Sequence, residues 1–178
     1  DLSFIGSGKL KIDTYEFDLE DTLDQVRHRI EPTAAAKNLA FAIDVSPGFP
    51  KRIISNSIRI QQILINLCTN AIKFTQNGQV NVLVDMAEAA HWRMIVSDTG
   101  KGIPNHELRN IFMPFHQLQT SMLQGHGGVG LGLTIVKELV TALDGKIMVE
   151  SEEKMGSKFI VTLPLFVEKV LESEKQHV

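Results

Sequence analysis

The sequence predicts an α/β sandwich in which a mixed sheet is covered on one face by helices. Three observations lead there. Segments of alternating apolar and polar residues interleave with segments of helical periodicity, in the order β-α-β-β-α-β-β-α-β-β. Turn signals such as Ser46-Pro47-Gly48 and Gln76-Asn77-Gly78 close the segments that precede them. The length of 178 residues, with 43% hydrophobic and 22% charged, suits one domain able to bury a real core.

Taken in order, residues 9–18 alternate and read as a short strand or hairpin. From Leu19 to Ala36 the apolar residues Leu23, Val26 and Ile30 recur at helical spacing, and Pro32 predicts a kink or a break there. Leu39 to Val45 alternates as a strand, and a short strand, Arg52 to Ser55, leads into Asn56, a good N-cap. A strongly amphipathic helix runs from there to about Phe74. Two strands follow, Gln79–Ala87 and Trp92–Ser97, the second delivering Asp98. The stretch 99–129 reads as loop with one short helix, Gly130 to Leu143 as a helix, and the regions near Lys146–Ser151 and Lys158–Leu163 as strands. Residues 167–178 are charged and unpatterned, a tail or linker.

Composition excludes several classes. Eighteen Lys and Arg against 21 Asp and Glu give a net charge of −3, which argues against affinity built on phosphate neutralisation of nucleic acid. The single cysteine, Cys68, excludes an internal disulfide framework and a multi-cysteine zinc site, and suits a reducing compartment. No run of about 18 apolar residues is present to span a membrane, and Asp1-Leu2-Ser3-Phe4 lacks the features of a signal peptide.

The chemistry concentrates in three places. On the helix ending at Phe74, Asn66, Asn70 and Lys73 lie within an arc of about 60°. Amide oxygens are hard ligands for Mg²⁺ and an ammonium is a point charge for phosphate, although a solvent-facing polar stripe has the same pattern. Asp98-Thr99-Gly100-Lys101-Gly102-Ile103 brings a carboxylate to a strand end and then turns tightly. Such a carboxylate can accept from an exocyclic amine such as that of adenine, and the glycines leave room for a flat ring; a surface Asx-turn is the alternative. Gly125-His126-Gly127-Gly128-Val129-Gly130-Leu131-Gly132 opens a helix, where bare backbone N–H groups suit an anion. Seven of the 13 glycines fall between residues 100 and 132. Two motifs are decoys. Gly6-Ser7-Gly8-Lys9 lacks the Ser/Thr and upstream glycine of a P-loop, and Gly128–Gly132 is not the dinucleotide spacing.

In this order and spacing the elements resemble one family. Asn66 to Phe74 looks like its N box, Asp98 to Gly102 its G1 box, Ile111 to Phe115 its F box, and Gly128 to Gly132 its G2 box. Phe74 to Gly78 and the ending Leu163-Pro164-Leu165 are also family-like. The family is the ATP-binding catalytic domain of sensor histidine kinases, of the Bergerat (GHKL) fold, and the resemblance covers roughly residues 9 to 165. It implies a mixed, mostly antiparallel sheet backed by three helices, with ATP beneath a mobile lid. Residues 1–8 then correspond to the end of a linker from dimerisation helices, 9–165 to the catalytic domain, and 166–178 to the tail.

Carried over by position, the resemblance implies that Asn70 coordinates Mg²⁺ with Asn66 beside it, and that Lys73 contacts phosphate. Asn66 and Lys73 would be the catalytic pair. Phe74 would border the nucleoside, and Asp98 would bind the adenine amine, with Gly100 and Gly102 at the turn and Ile103 lining the base. Gly128, Gly130, Leu131 and Gly132 would close over the phosphates, and Thr162 would lie at the adenine end. Gyrase-like, chaperone-like and mismatch-repair relatives carry a glutamate at the position of Asn66; an asparagine cannot act as general base, which disfavours hydrolysis and fits phosphoryl transfer.

Three departures stand out. No Lys or Arg lies between Arg109 and Lys137, so Lys73 and Mg²⁺ are expected to supply most of the charge compensation, with modest nucleotide affinity. Asp144 stands where the family often has glycine, and Val129 where Ser or Thr is usual. His106-Glu107-Leu108-Arg109-Asn110 looks like a phosphoacceptor box, but Pro104 and Pro114 prevent it from belonging to a long helix. The acceptor histidine is therefore expected on a separate dimerisation domain upstream, with a response regulator or receiver domain as the next partner. The resemblance implies a cytoplasmic module, without nucleic-acid or membrane contacts of its own, of a homodimeric, membrane-anchored parent. Phe74-Thr75 and Phe115-His116-Gln117 lean toward the hybrid subgroup.

Overall fold

The structure, a computed structural model, describes residues 12–88, 90–114 and 132–167. The elements are β1 (Tyr15–Asp18), α1 (Leu19–Ala36), β2 (Ala40–Val45), β3 (Arg52–Ser55), α2 (Ser57–Phe74), β4 (Gln79–Ala87), β5 (His91–Asp98), α3 (Gly132–Ala142), β6 (Lys146–Glu152) and β7 (Gly156–Pro164). Their order is the predicted one. Five strands form the main sheet in the order β2-β4-β5-β7-β6, with β2 and β4 parallel and every other neighbouring pair antiparallel.

Both long helices start on a side-chain cap. The Asp18 carboxylate accepts from the N–H of Glu20 at 2.9 Å, and the Asn56 amide oxygen accepts from that of Arg59 at 2.9 Å. Leu19, Leu23, Val26, Ile30 and Ala34 form the buried stripe of α1. Ile60, Ile63, Leu64, Leu67, Cys68, Ala71 and Ile72 form that of α2. These face Val80, Val82 and Val84 of β4, Trp92, Met94 and Val96 of β5, and Phe159, Val161 and Leu163 of β7 in one core. The opposite sheet face is polar at Arg93 and Asp85, whose side chains pair through two bonds of 2.8 and 2.6 Å. Cys68 lies in the core, and burial pushes its thiol up to about 12.

Two expectations are corrected. Of the kink or break expected at Pro32, the break is absent, because α1 continues to Ala36. Pro32 and His28, the residue whose carbonyl loses its bond, are both exposed, so water can replace the missing donor. The first and third strands do not join the main sheet. They pair with each other, Tyr15 opposite Ser55 and Asp18 opposite Arg52. Each runs directly into a helix cap, which holds them at the start of the helix layer. Of the stretch 99–129, where one short helix was expected, residues 104–113 form a chain of turns closed by N–H groups of Glu107, Asn110 and Met113 on the carbonyls three residues back, and residues 115–129 lie outside the described residues.

The C-termini are closed as carefully as the starts. The Lys37 ammonium, just beyond α1, donates to the carbonyls of Ile72 and Thr75 at 2.6 and 2.8 Å, capping α2. After α3, Asp144 takes φ 57°, a conformation aspartate tolerates, and the Gly145 N–H bonds the Val140 carbonyl at 2.9 Å. Two chain segments flank β3: the Asn56 amide donates to the Asp13 carbonyl, and the Ile54 N–H bonds the Phe166 carbonyl at 2.7 Å.

Candidate functional site

Central strand β5 alternates, with Trp92, Met94 and Val96 buried against the helices, so Asp98 falls on that same face. Its carboxylate accepts the Gly100 N–H at 2.8 Å and the backbone N–H of Ser157, the residue opposite it on β7. Burial nevertheless dominates and raises its pKa above the ordinary 3.8. The turn after Asp98 packs tightly. A Cβ on Gly100 would stand 2.5 Å from the Phe74 carbonyl, and one on Gly102 (φ 68°) would stand 1.9 Å from that of Glu152. Ile103 is buried, and its N–H donates to the Ser151 hydroxyl at 2.8 Å.

The second wall is the polar edge of α2. Asn66 and Asn70 are half-buried and converge on the first residue of α3. A Cβ at Gly132 would lie 3.7 Å from Asn70 Nδ2 and 3.9 Å from Asn66 Oδ1. One turn on, the Lys73 and Lys101 ammoniums stand 5.2 and 4.8 Å from the centroid of the Phe74 ring. Burial, and then the charge of Lys73, lower the pKa of Lys101. Among the described residues, neither ammonium has a carboxylate partner and neither amide has a hydrogen-bond partner. One end of the site therefore offers an acceptor in a flat, close-packed corner, and the other offers unmatched oxygens and positive charge.

The comparisons with known proteins give the chain a family. The model of the histidine kinase-, DNA gyrase B- and HSP90-like ATPases matches residues 55–167. The chain belongs to this family. It is similar to the sensor histidine kinase RcsC of Escherichia coli K12, with 37% identity over 93% of this chain and 17% of that protein. The chain thus spans less than a fifth of that relative. Among solved structures, full-length ShkA in complex with AMPPNP superposes with a TM-score of 0.81 at 32% identity, over 92% of this chain and 33% of that one. The histidine kinase ThkA in complex with the response regulator protein TrrA gives 0.69 at 26% identity, over 86% and 42%.

In this histidine-kinase-type ATPase domain, most of the residues singled out in the sequence come together. Asn66, Asn70, Lys73 and Phe74 share one helix edge, with Asp98, Gly100, Gly102 and Ile103 across from them and Gly132 at the start of α3. Gly128, Gly130 and Leu131 lie outside the described residues. The F box joins the same wall. Ile111 is buried, the Phe112 ring stands edge-on to Phe159 with centroids 6.4 Å apart, and the Phe112 carbonyl accepts from the Thr134 hydroxyl at 3.2 Å. Phe115 lies outside the described residues.

Thr162 does not belong with the others. The register pairs it with Arg93 and Lys146, five residues along β7 from Ser157 and on the sheet face away from the helices. Ser157 takes the position beside Asp98 instead. His106, in the turns before the F box, is exposed and 3.8 Å from the Glu107 carboxylate, in no long helix. Sequence reading missed Ser157, Ser151, Lys101 and the Lys37 cap. Lys101 was legible as a lysine inside the G1 run. The two serines gave no local signal, because only the β5–β7 pairing brings Ser157 to the site and only the β6–β7 pairing brings Ser151.

The donor set also suits a magnesium ion. Asn66 and Asn70 carry unmatched amide oxygens of the hard type that ion prefers, and no cluster of three His, Cys, Asp or Glu competes for a metal among the described residues. No described helix is long and apolar enough to cross a membrane.

Proposed function

We propose that this chain binds Mg-ATP and transfers the γ-phosphate to a histidine on a separate dimerisation and phosphoacceptor domain, as the catalytic module of a two-component sensor kinase. The observation that carries the reading is a half-buried carboxylate, Asp98, whose following turn packs on Phe74 at the end of the α2 edge that carries Asn66, Asn70 and Lys73. Asp98 accepts from the adenine amine, and Gly102 and Ile103 leave a flat floor for the ring. Asn70, with Asn66 beside it, would hold Mg²⁺, whose chemistry there is neutralisation of phosphate charge. Lys73 adds a further positive charge, and Lys101 shares its side of the site.

Nothing at the position of Asn66 can deprotonate water, so the γ-phosphate waits for an external nucleophile. Phosphoryl transfer asks the protein mainly for positioning and charge stabilisation, which amides, lysine and backbone N–H groups supply. The response-regulator complex of ThkA supports a response regulator or receiver domain as the next partner.

The test joins this domain to a dimerisation and acceptor domain and follows label from γ-³²P-ATP. Phosphohistidine on the acceptor, with negligible phosphate release by the domain alone, is the expected result. Nucleotide binding without transfer to any acceptor would overturn the kinase reading.

A further inference from the structure

The base corner contains a hydroxyl whose hydrogen bonds can be fully counted. Ser151 Oγ, on β6, lies 2.8 Å from the Ile103 nitrogen, 2.9 Å from the Gly156 carbonyl oxygen and 2.9 Å from Ser157 Oγ. A hydroxyl has one proton to give and two lone pairs to offer. The Ile103 N–H can only donate and the Gly156 carbonyl can only accept, so the Ser151 proton goes to Gly156. The contact between the two serines must then use the proton of Ser157. Ser157 is left with lone pairs alone. It faces Asp98 in register, on the same side of the sheet, and its backbone N–H supports the Asp98 carboxylate. The hairpin that carries both serines is pressed against β5, since a Cβ on Gly156 would stand 1.9 Å from the Asp98 carbonyl oxygen.

We infer that Ser151 is a positioning residue for base selection: it consumes the Ser157 proton, so that Asp98 and Ser157 form a corner of acceptors that admits an amino group and rejects a carbonyl. This rests on the nucleotide reading above and adds what makes the site choose adenine. The same oxygen ties the Ile103 backbone to the β6–β7 turn, so the floor of the pocket and its acceptors move as one body. Removing the Ser151 hydroxyl frees the Ser157 proton, and the freed hydroxyl can turn and donate to a carbonyl on the base.

The experiment measures equilibrium binding of Mg-ATP and Mg-ITP to the full 178-residue chain. ITP replaces the amine by a carbonyl and leaves the phosphates unchanged. The wild type is expected to prefer ATP. Ser151→Ala should lower the ATP:ITP preference at least fivefold, mainly by improving ITP relative to ATP. Ser151→Thr, which keeps a hydroxyl, should restore it. The double variant Ser151→Ala/Ser157→Ala, which has no proton to turn, should regain preference over Ser151→Ala alone. Should Ser151→Ala not fold, Ser151→Val, which also lacks a hydroxyl and suits a strand, serves in its place. A Ser151→Ala chain that melts at lower temperature but keeps the wild-type ATP:ITP ratio shows that Ser151 has only a structural role and overturns the inference, with the nucleotide reading intact. A wild-type chain that binds neither nucleotide overturns both.

Discussion

The two ends of the site are built on opposite principles. At the proposed base end, hydrogen bonds of 2.8 to 2.9 Å join Asp98 to Gly100 and Ser151 to Ile103, Gly156 and Ser157, and there is no space for an added Cβ at Gly102 or Gly156. At the proposed phosphate end, Asn66 and Asn70 have no hydrogen-bond partner among the described residues, and two ammoniums share one aromatic ring. A corner already satisfied selects by shape and by its fixed acceptors. An edge left unsatisfied gains most of its order when an anion and its cation arrive. Selectivity and charge stabilisation are thereby separated along the ligand, which lets each be altered alone.

Breaking the base end should cost most. Asp98→Asn removes the charged acceptor and should weaken ATP binding on the order of 100-fold, with little change for an isolated triphosphate, as measured by titration calorimetry. Acid does the same reversibly. Because burial raises the Asp98 pKa above 3.8, nucleotide affinity should fall as pH drops through that raised value, at a higher pH than an ordinary carboxylate would give, and Asp98→Asn should flatten the profile. The sign for stability is opposite. The cost of burying the charge is absent below the unfolded pKa, so the apo domain gains from protonation and loses that gain as pH rises through the folded value.

The phosphate end should respond less, and through charge. Lys73→Ala is expected to weaken ATP about tenfold at low salt while leaving adenosine unaffected, since a charge-assisted contact contributes about 1.5–3 kcal/mol when desolvated and less when exposed. Equal losses for ATP and adenosine would show that Lys73 acts on the fold around Phe74 instead. The smallest effect belongs to the support behind that edge. Lys37→Met strips the Ile72 and Thr75 carbonyls of their ammonium and should lower stability by about 1 kcal/mol, read by urea denaturation, with only a small change in affinity.

What the sequence revealed divides along a similar line. Periodicity and caps are local, so α2 with its Asn56 cap, the strand Gln79–Ala87 and the full order of elements could be read from neighbouring residues. The boxes were legible as a resemblance because their spacing is rigid. Registers are not local. Thr162 and Ser157 lie on one strand, and only the pairing with β5 decides which of them meets Asp98. Likewise β1 and β3 look like members of the sheet until their pairing with each other is known. Pro32 misled for a different reason: the rule against proline inside a helix assumes that the lost bond cannot be replaced by water, and there it can.

The chain segments on either side of β3 have a mechanical consequence. Asp13 and Phe166 are bonded to neighbouring residues of one short stretch, and Pro164 lies opposite His91, at the far end of β5 from Asp98. At 3.3 Å per residue, β5 is a lever about 23 Å long with these contacts at one end and Asp98 at the other. Turning the domain by roughly 10° about the first end sweeps Asp98 through about 4 Å, more than the length of a hydrogen bond. Small changes of angle at that end therefore become displacements large enough to make or break a contact at Asp98.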